Sequence, residues 1–274
     1  MVSQEQRRRQ LAREKFLRQQ QRRTEARRKA RLRNSVIASV LGVVVIGSVA
    51  LYTTGVLKND DDKKTNAGAE VTPSPTPSGK AQDPCKKPAS GSVEKLSWKK
   101  EPAMTIDTSA KYSLKLATTC GDIGIALKTS AAPHTVNSFD FLAGKGYFDH
   151  TKCHRLTTQG IYVLQCGDPQ GTGMGGPGYT LPDENLKDKS LKNNIYPAGT
   201  VAMANTGQKH TGGSQFFLVY KDSQLPPSYT PFGTIDAAGM KVLNKIAAAG
   251  ESTGGGDGAP NATVVIDKAT VTKS

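Results

Sequence analysis

Tyr112-Ser113-Leu114-Lys115-Leu116-Ala117-Thr118-Thr119-Cys120-Gly121-Asp122-Ile123-Gly124-Ile125-Ala126-Leu127 carries an apolar side chain at every second position on both sides of a turn. Tyr112, Leu114 and Leu116 form one alternating run, and Ile123, Ile125 and Leu127 form the other. A period of two is the signature of a strand with one buried face, and Cys120-Gly121-Asp122 supplies the turn between two such strands. The stretch reads as a β-hairpin and sets the class as mainly β.

Working outward, Val136, Phe139 and Leu142 recur at helical spacing between His134 and Lys145, opened after Pro133 and stopped at Gly144 and Gly146. Short strands are expected at Ile161–Gln165, Thr200–Ala204 and Gln215–Tyr220, with Gly/Pro/Asn-rich loops between them. A second helix is expected over Ala237–Ala249, with Met240, Leu243 and Ile246 on one side, and Val264–Val271 closes the series as a strand. Many short strands with two helices point to a barrel capped by helices rather than to a βαβ fold. There is no internal repeat.

The 274 residues divide into four parts. Residues 1–34 hold thirteen Lys/Arg against Glu5, Glu14 and Glu25, so they carry most of the chain's formal +14. Residues 35–57 carry no charge and are aliphatic on all sides, long enough for the ~20 residues a transmembrane helix needs. Basic residues before this run and Asp60-Asp61-Asp62 after it predict a cytoplasmic N-terminus and an extracytoplasmic domain at the cell membrane. A cleaved signal peptide ending at Ser48-Val49-Ala50 is the alternative, but the apolar run continues past Ala50. Residues 58–101, with Thr72-Pro73-Ser74-Pro75-Thr76-Pro77, read as a flexible linker whose end, at Cys85 and Trp98, can already dock on the domain. Residues 102–274 form that domain. The basic tail lacks a DNA-binding motif, and Phe16 is its one aromatic residue, so anionic lipid is the expected contact and nucleic acid is not.

Several chemistries are disfavoured. Gly171-Thr172-Gly173-Met174-Gly175-Gly176 spells G-x-G-x-x-G, but Pro177-Gly178 follows where a dinucleotide site needs a helix, so it reads as a mobile surface loop. Cys153-His154 and Cys166 lack CxxC or HExxH spacing, and adjacent strand residues face opposite ways, so no metal is expected. Ser214 is not in a nucleophile elbow. No cofactor is implied.

Cys153-His154-Arg155, Tyr162-Val163-Leu164-Gln165-Cys166-Gly167-Asp168, Val201-Ala202-Met203-Ala204-Asn205, Gly212-Gly213-Ser214-Gln215-Phe216-Phe217 and Pro231-Phe232-Gly233 occur in that order. Together with Thr135-Val136-Asn137-Ser138-Phe139 they resemble the cyclophilin family of peptidyl-prolyl cis/trans isomerases, in particular membrane-anchored bacterial (actinobacterial-like) members. The resemblance implies an eight-stranded antiparallel barrel closed by two helices that isomerises X-Pro bonds; with the extracytoplasmic address, the expected substrates are proline-containing segments of exported proteins, and the chain is expected to be a monomer. The resemblance also implies that Arg155 is the central catalytic residue, with Gln165 and Phe217. It places Tyr162, Val163, Phe217 and Leu225 in the proline pocket and Gln165 and Asn205 on the substrate backbone. Gln215 supports Arg155, Ala204 lines the groove, and Tyr229 stands where a pocket-wall histidine is common. Taken singly, Val163 would read as core and Arg155 as a solvated charge; the ordered set favours the functional reading. A module that merely holds Pro-containing segments in the same groove is the alternative class.

Relative to the common family spacing, two residues are added between Arg155 and Gln165 and one between Asn205 and Gln215. The family fold brings the strands of Cys153 and Cys166 together, which implies Cys153–Cys166 and leaves Cys85–Cys120 as the second bridge. Leu225 stands where many eukaryotic members carry Trp. The expected outcome of an inhibition titration is therefore weak binding of cyclosporin with isomerase activity retained, and tight inhibition would contradict it.

Overall fold

The computed structural model describes residues 83–274. The expected basic tail, membrane span and residues 58–82 of the expected linker lie outside the described residues. Among the described residues no helix is long and apolar enough to cross a membrane.

The hairpin forms as read: β1 (Tyr112–Thr118) pairs antiparallel with β2 (Gly121–Leu127), from Tyr112 opposite Leu127 to Thr118 opposite Gly121. Leu114, Leu116, Ile123 and Ile125 are buried in the main core. Gly121 turns the chain at φ +129°, a left-handed conformation, and a Cβ there would sit 3.0 Å from Val242.

The remaining strands are β3 (Thr151–Lys152), β4 (Arg155–Thr157), β5 (Val163–Cys166), β6 (Ile195–Tyr196), β7 (Thr200–Met203), β8 (Phe216–Val219), β9 (Ser223–Gln224), β10 (Pro231–Ile235), β11 (Asp257–Gly258) and β12 (Val265–Lys273). All of the strands except β6 and β9, with β1 and β2 included, form one ten-stranded antiparallel sheet, ordered β11-β4-β5-β8-β7-β10-β2-β1-β12-β3, and β6 and β9 form a small separate pair. The expected count of eight is corrected by two local features. The chain breaks between β3 and β4, where Cys153 N–H donates to Val264 O and His154 N–H donates to Gln165 O, so consecutive amides bond to opposite ends of the sheet order. The short β11 then adds an edge to β4. The sheet is therefore curled, and its two ends meet on the same stretch of chain. Cys153 and His154 lie in the gap between strands, not within one.

Two helices pack on this sheet. Helix α1 (Pro133–Gly144) starts on a proline, whose fixed φ and missing N–H suit the first helical turn. No side chain of its own caps it. Instead Glu184 accepts from His134 N at 3.0 Å, Thr135 N at 2.9 Å and Thr135 Oγ1 at 2.7 Å, satisfying donors that the helix leaves open. Val136, Phe139 and Leu142 are fully buried, and Phe139 sits among Phe148, Phe216 and Phe232 at ring separations of 5.2, 5.4 and 4.5 Å. Helix α2 (Ala237–Ala248) has Asp236 as N-cap, accepting from Gly239 N at 2.6 Å, and buries Leu243 and Ile246 with Met240 half-covered.

The end of the expected linker is tied down. Cys85 is bonded to Cys120, Lys86 N–H donates to Thr119 O, and Trp98 packs on Phe141 and Tyr147 at 5.0 and 5.9 Å. The second bridge is Cys153–Cys166, and no described cysteine is free. Non-reducing peptide mapping should recover these two pairs alone. Cys85→Ser/Cys120→Ser should lose about 2–4 kcal/mol of stability in denaturant titration, since the bridge shortens the unfolded chain's loops. An unchanged midpoint would contradict that role.

Candidate functional site

Register builds the site. Arg155 faces Gln165 across β4–β5, Gln165 faces Phe217 across β5–β8, and Phe217 faces Ala202 across β8–β7, so the four side chains form one row. Because strand residues alternate, their neighbours Leu156, Leu164, Phe216 and Val201 point the other way, into the main core. Val163, Ala202, Phe217 and Val219 join Tyr196 and Leu225 in a second, smaller apolar cluster on the opposite face.

That cluster floors a cavity of about 190 Å³ lined by Arg155, Ile161, Val163, Gln165, Ala204, Asn205, Phe217, Leu225 and Tyr229. Phe217 meets Tyr229 edge to face at 5.4 Å. Behind them, buried Tyr196 donates its hydroxyl to Tyr229 O at 2.8 Å and accepts from Tyr229 N at 3.2 Å, fixing that wall. Burial pushes the Tyr196 hydroxyl up to about 12, so it stays protonated.

The polar rim is a chain of amides ending on a cation. Arg155 Nη1 donates to Gln165 Oε1 at 3.2 Å, Gln165 Nε2 to Gln215 Oε1 at 2.8 Å, and Gln215 Nε2 to Gly175 O at 2.9 Å. Gln215 thus supports Arg155 through Gln165, not by direct contact. On its other side Arg155 donates Nε and Nη2 to Asp257 at 2.7 and 2.8 Å. The pairing with Asp257 raises the guanidinium above its already high ordinary value, and Arg155 holds the Asp257 carboxyl below the usual carboxylate range.

Two expectations are corrected here, on Tyr162 and on the glycine-rich loop. Tyr162 is not in the cavity: its ring packs edge-on to Tyr220 at 5.8 Å, with Lys221 Nζ 4.5 Å over its face. The longer turn after β4 brings Ile161 to the cavity instead, on the same side as Val163 and Gln165 by the period of two. Asn205 spends its side-chain amide on Ser228 O and Gly207 N at 2.8 and 2.9 Å. What it leaves open to a ligand is its main chain, whose N–H and C=O have no partner among the described residues. The glycine-rich loop is held rather than loose. Buried Asp168 accepts from the amides of Gln170, Thr172 and Gly173 at 2.8, 2.9 and 2.6 Å, and although burial opposes its charge, these bonds keep its carboxyl below the usual range. This loop, with Lys99–Glu101, walls a larger cleft of about 1190 Å³ that continues from Gln165, Ala204 and Asn205.

Asp257, Ile161, Tyr196 and Asp168 were not singled out from the sequence. Alternation could have found Ile161; nothing in Gly254-Gly255-Gly256-Asp257-Gly258 marks its carboxylate. No cluster of three or more His, Cys, Asp or Glu suited to a metal occurs among the described residues.

Residues 113–271 match the model of the family described as "Cyclophilin type peptidyl-prolyl cis-trans isomerase/CLD". The chain belongs to the cyclophilin-type peptidyl-prolyl cis-trans isomerases. It is 46% identical over 211 residues, 74% of its length, to a probable peptidyl-prolyl cis-trans isomerase B of Mycobacterium leprae, covering 67% of that protein. It is 46% identical over 209 residues to the protein of the same description in Mycobacterium tuberculosis, covering 63% of it. A solved cyclophilin-type isomerase of Cryptosporidium parvum, 27% identical, aligns over 60% of this chain and 99% of its own with a TM-score of 0.50. The cyclophilin fold thus accounts for the curled sheet, and about a third of each mycobacterial relative lies outside the match.

The cavity assignment separates two neighbouring side chains. Ile161→Ala should lower kcat/KM on an X-Pro peptide by about tenfold, in the range that lost pocket methyls cost, and Tyr162→Ala should leave it within about twofold because its ring lies outside the cavity. The reverse order would return Tyr162 to the pocket.

Proposed function

We propose that this cyclophilin domain speeds rotation about X-Pro bonds of exported proteins, held outside the cytoplasm by the uncharged segment at residues 35–57. The observation that carries the catalytic part is a guanidinium fixed at the rim of a small apolar cavity.

Rotation of the peptide bond meets a barrier of ~18–20 kcal/mol because amide resonance is lost on the way. No bond to a side chain is needed; the site must hold the twisted amide more tightly than the planar one. Val163, Phe217, Leu225 and Ile161 offer an apolar slot for the proline ring. The main chain of Asn205 and the amide of Gln165 lie where the flanking peptide would run. As the amide twists, the lone pair localises on the proline nitrogen, which becomes a hydrogen-bond acceptor. An N–H of Arg155 aimed at that point favours the twisted state over both planar ones, and a donor already in place needs no reorganisation.

The address rests on separate support. The 23-residue uncharged run and its charged flanks fit a single span with the N-terminus inside. Basic residues 1–34 would lie against anionic headgroups. Two disulfides among the described residues, one of them tying the end of the linker to the domain, fit an oxidising compartment. X-Pro bonds of newly exported chains equilibrate over tens to hundreds of seconds unaided, which gives an isomerase there a task.

A protease-free proline-isomerisation assay compares the full-length chain with Arg155→Ala. Loss of one fixed donor should lower kcat/KM by about 10²–10³-fold; equal rates would remove Arg155 from the chemistry. In a bacterial host, protease added outside the cells should digest the domain and spare residues 1–34, and protection of the domain would overturn the address.

A further inference from the structure

We propose that Asp257 is a positioning residue for the isomerase: it grips Arg155 along one edge and so aims the remaining N–H groups of the guanidinium at the cavity. The inference rests on the catalytic reading of Arg155 given above.

Arg155 is 38% exposed at the cavity rim, so packing alone does not set its rotamer. Gln165 supplies one bond at 3.2 Å, which limits distance but leaves the planar head free to rotate about it. The two bonds from Nε and Nη2 to Oδ1 and Oδ2 of Asp257, at 2.7 and 2.8 Å, form a fork, and a fork defines a plane. A guanidinium carries five N–H groups. Asp257 takes two and Gln165 takes one, so two remain, on Nη1 and Nη2, for a ligand.

Asp257 is itself held in place. Its strand β11 pairs with β4, setting Asp257 opposite Thr157 and Gly258 opposite Leu156, one strand over from Arg155's pairing with Gln165. The turn before it is folded around Glu251, whose carboxylate accepts from Thr253 N at 2.6 Å, Thr253 Oγ1 at 2.7 Å and Gly256 N at 2.8 Å. Thr158 N–H donates to Gly256 O at 2.9 Å, and a Cβ on Gly258 would lie 2.3 Å from Glu251 Oε2. The turn is packed against the β4–β5 connection and delivers the carboxylate from a point 102 residues away in sequence.

One effect opposes the proposal, because a carboxylate cancels part of the charge that Arg155 presents. At an exposed rim that net charge is already screened by water. The direction of an N–H towards a developing lone pair is not screened, and misplacement of a catalytic group by about 1 Å costs up to 10²-fold. Orientation therefore outweighs neutralisation.

The test is a double-mutant cycle on the full-length chain, using NMR exchange of an X-Pro peptide to obtain kcat and KM. Wild type, Arg155→Ala, Asp257→Asn, Asp257→Ser and Arg155→Ala/Asp257→Asn are compared, with rates normalised to the folded fraction from near-ultraviolet circular dichroism. Asp257→Asn should lower kcat by about tenfold and leave KM within about twofold. In the Arg155→Ala background it should have no further effect, because the carboxylate acts only through that side chain. The Arg155 Nε–H resonance should be slow to exchange in the wild type and fast in Asp257→Asn and Asp257→Ser. A kcat at or above the wild-type value in Asp257→Asn, beside an impaired Arg155→Ala, overturns this inference alone. An equal loss in both backgrounds shows a purely structural role and overturns it too. A wild-type rate in Arg155→Ala overturns the reading beneath it, a distinguishable result.

Discussion

The register of β4 against β5 is the constraint on which the rest depends. Arg155 opposite Gln165, and Gln165 opposite Phe217, put the cation, the amide and the pocket floor on one face. The same register puts Leu156, Leu164 and Phe216 into the main core. A slip by one residue would exchange the two faces, burying Arg155 and Gln165 and exposing the core leucines. The penalty for burying an unpaired guanidinium is several kcal/mol or more, so the apolar core and the site enforce each other. Cys153–Cys166 lies beside this pairing, since Cys166 follows Gln165 and Cys153 precedes Arg155 by two residues.

From that register the molecule separates into two apolar bodies sharing one sheet. The larger is organised by Phe139 of α1, whose ring contacts with Phe148, Phe216 and Phe232 join the helix to the sheet. The smaller, around Val163, Phe217 and Leu225, is left open at one side and becomes the cavity. Adjacent phenylalanines therefore serve different ends: Phe216 is fully buried in the core, and Phe217 floors the pocket. The polar groups above are satisfied by one another, from Gly175 through Gln215 and Gln165 to Arg155 and Asp257. Such a network is worth keeping only when every member has its partner.

Much of this was legible because it is local. The hairpin at residues 112–127 and the helix behind Pro133 follow from period and punctuation, which a strand or helix carries in its own residues. The ordered motifs also located Arg155, Val163, Gln165, Ala204, Asn205, Phe217, Leu225 and Tyr229, all of which line the cavity. Long-range partners were not legible. Glu184 caps α1 from a distant loop, and Asp257 reaches Arg155 from a glycine-rich turn without periodicity. The strand count failed because the break at Cys153–His154 is set by which carbonyls its amides meet, not by its composition. Tyr162 departs from its motif position because Ile161, Val163 and Gln165 share one side by the period of two, which leaves the Tyr162 ring outside the cavity.

The central claim is that a proline ring enters the cavity beneath Arg155. Intermolecular nuclear Overhauser effects between an X-Pro peptide and the isotope-labelled chain measure this directly. The account predicts contacts from the proline ring protons to Phe217, Leu225, Val163 and Ile161, and a shifted Arg155 side-chain resonance. Contacts confined to the wider cleft around Met174 and Lys99, with the cavity side chains unperturbed, would contradict it.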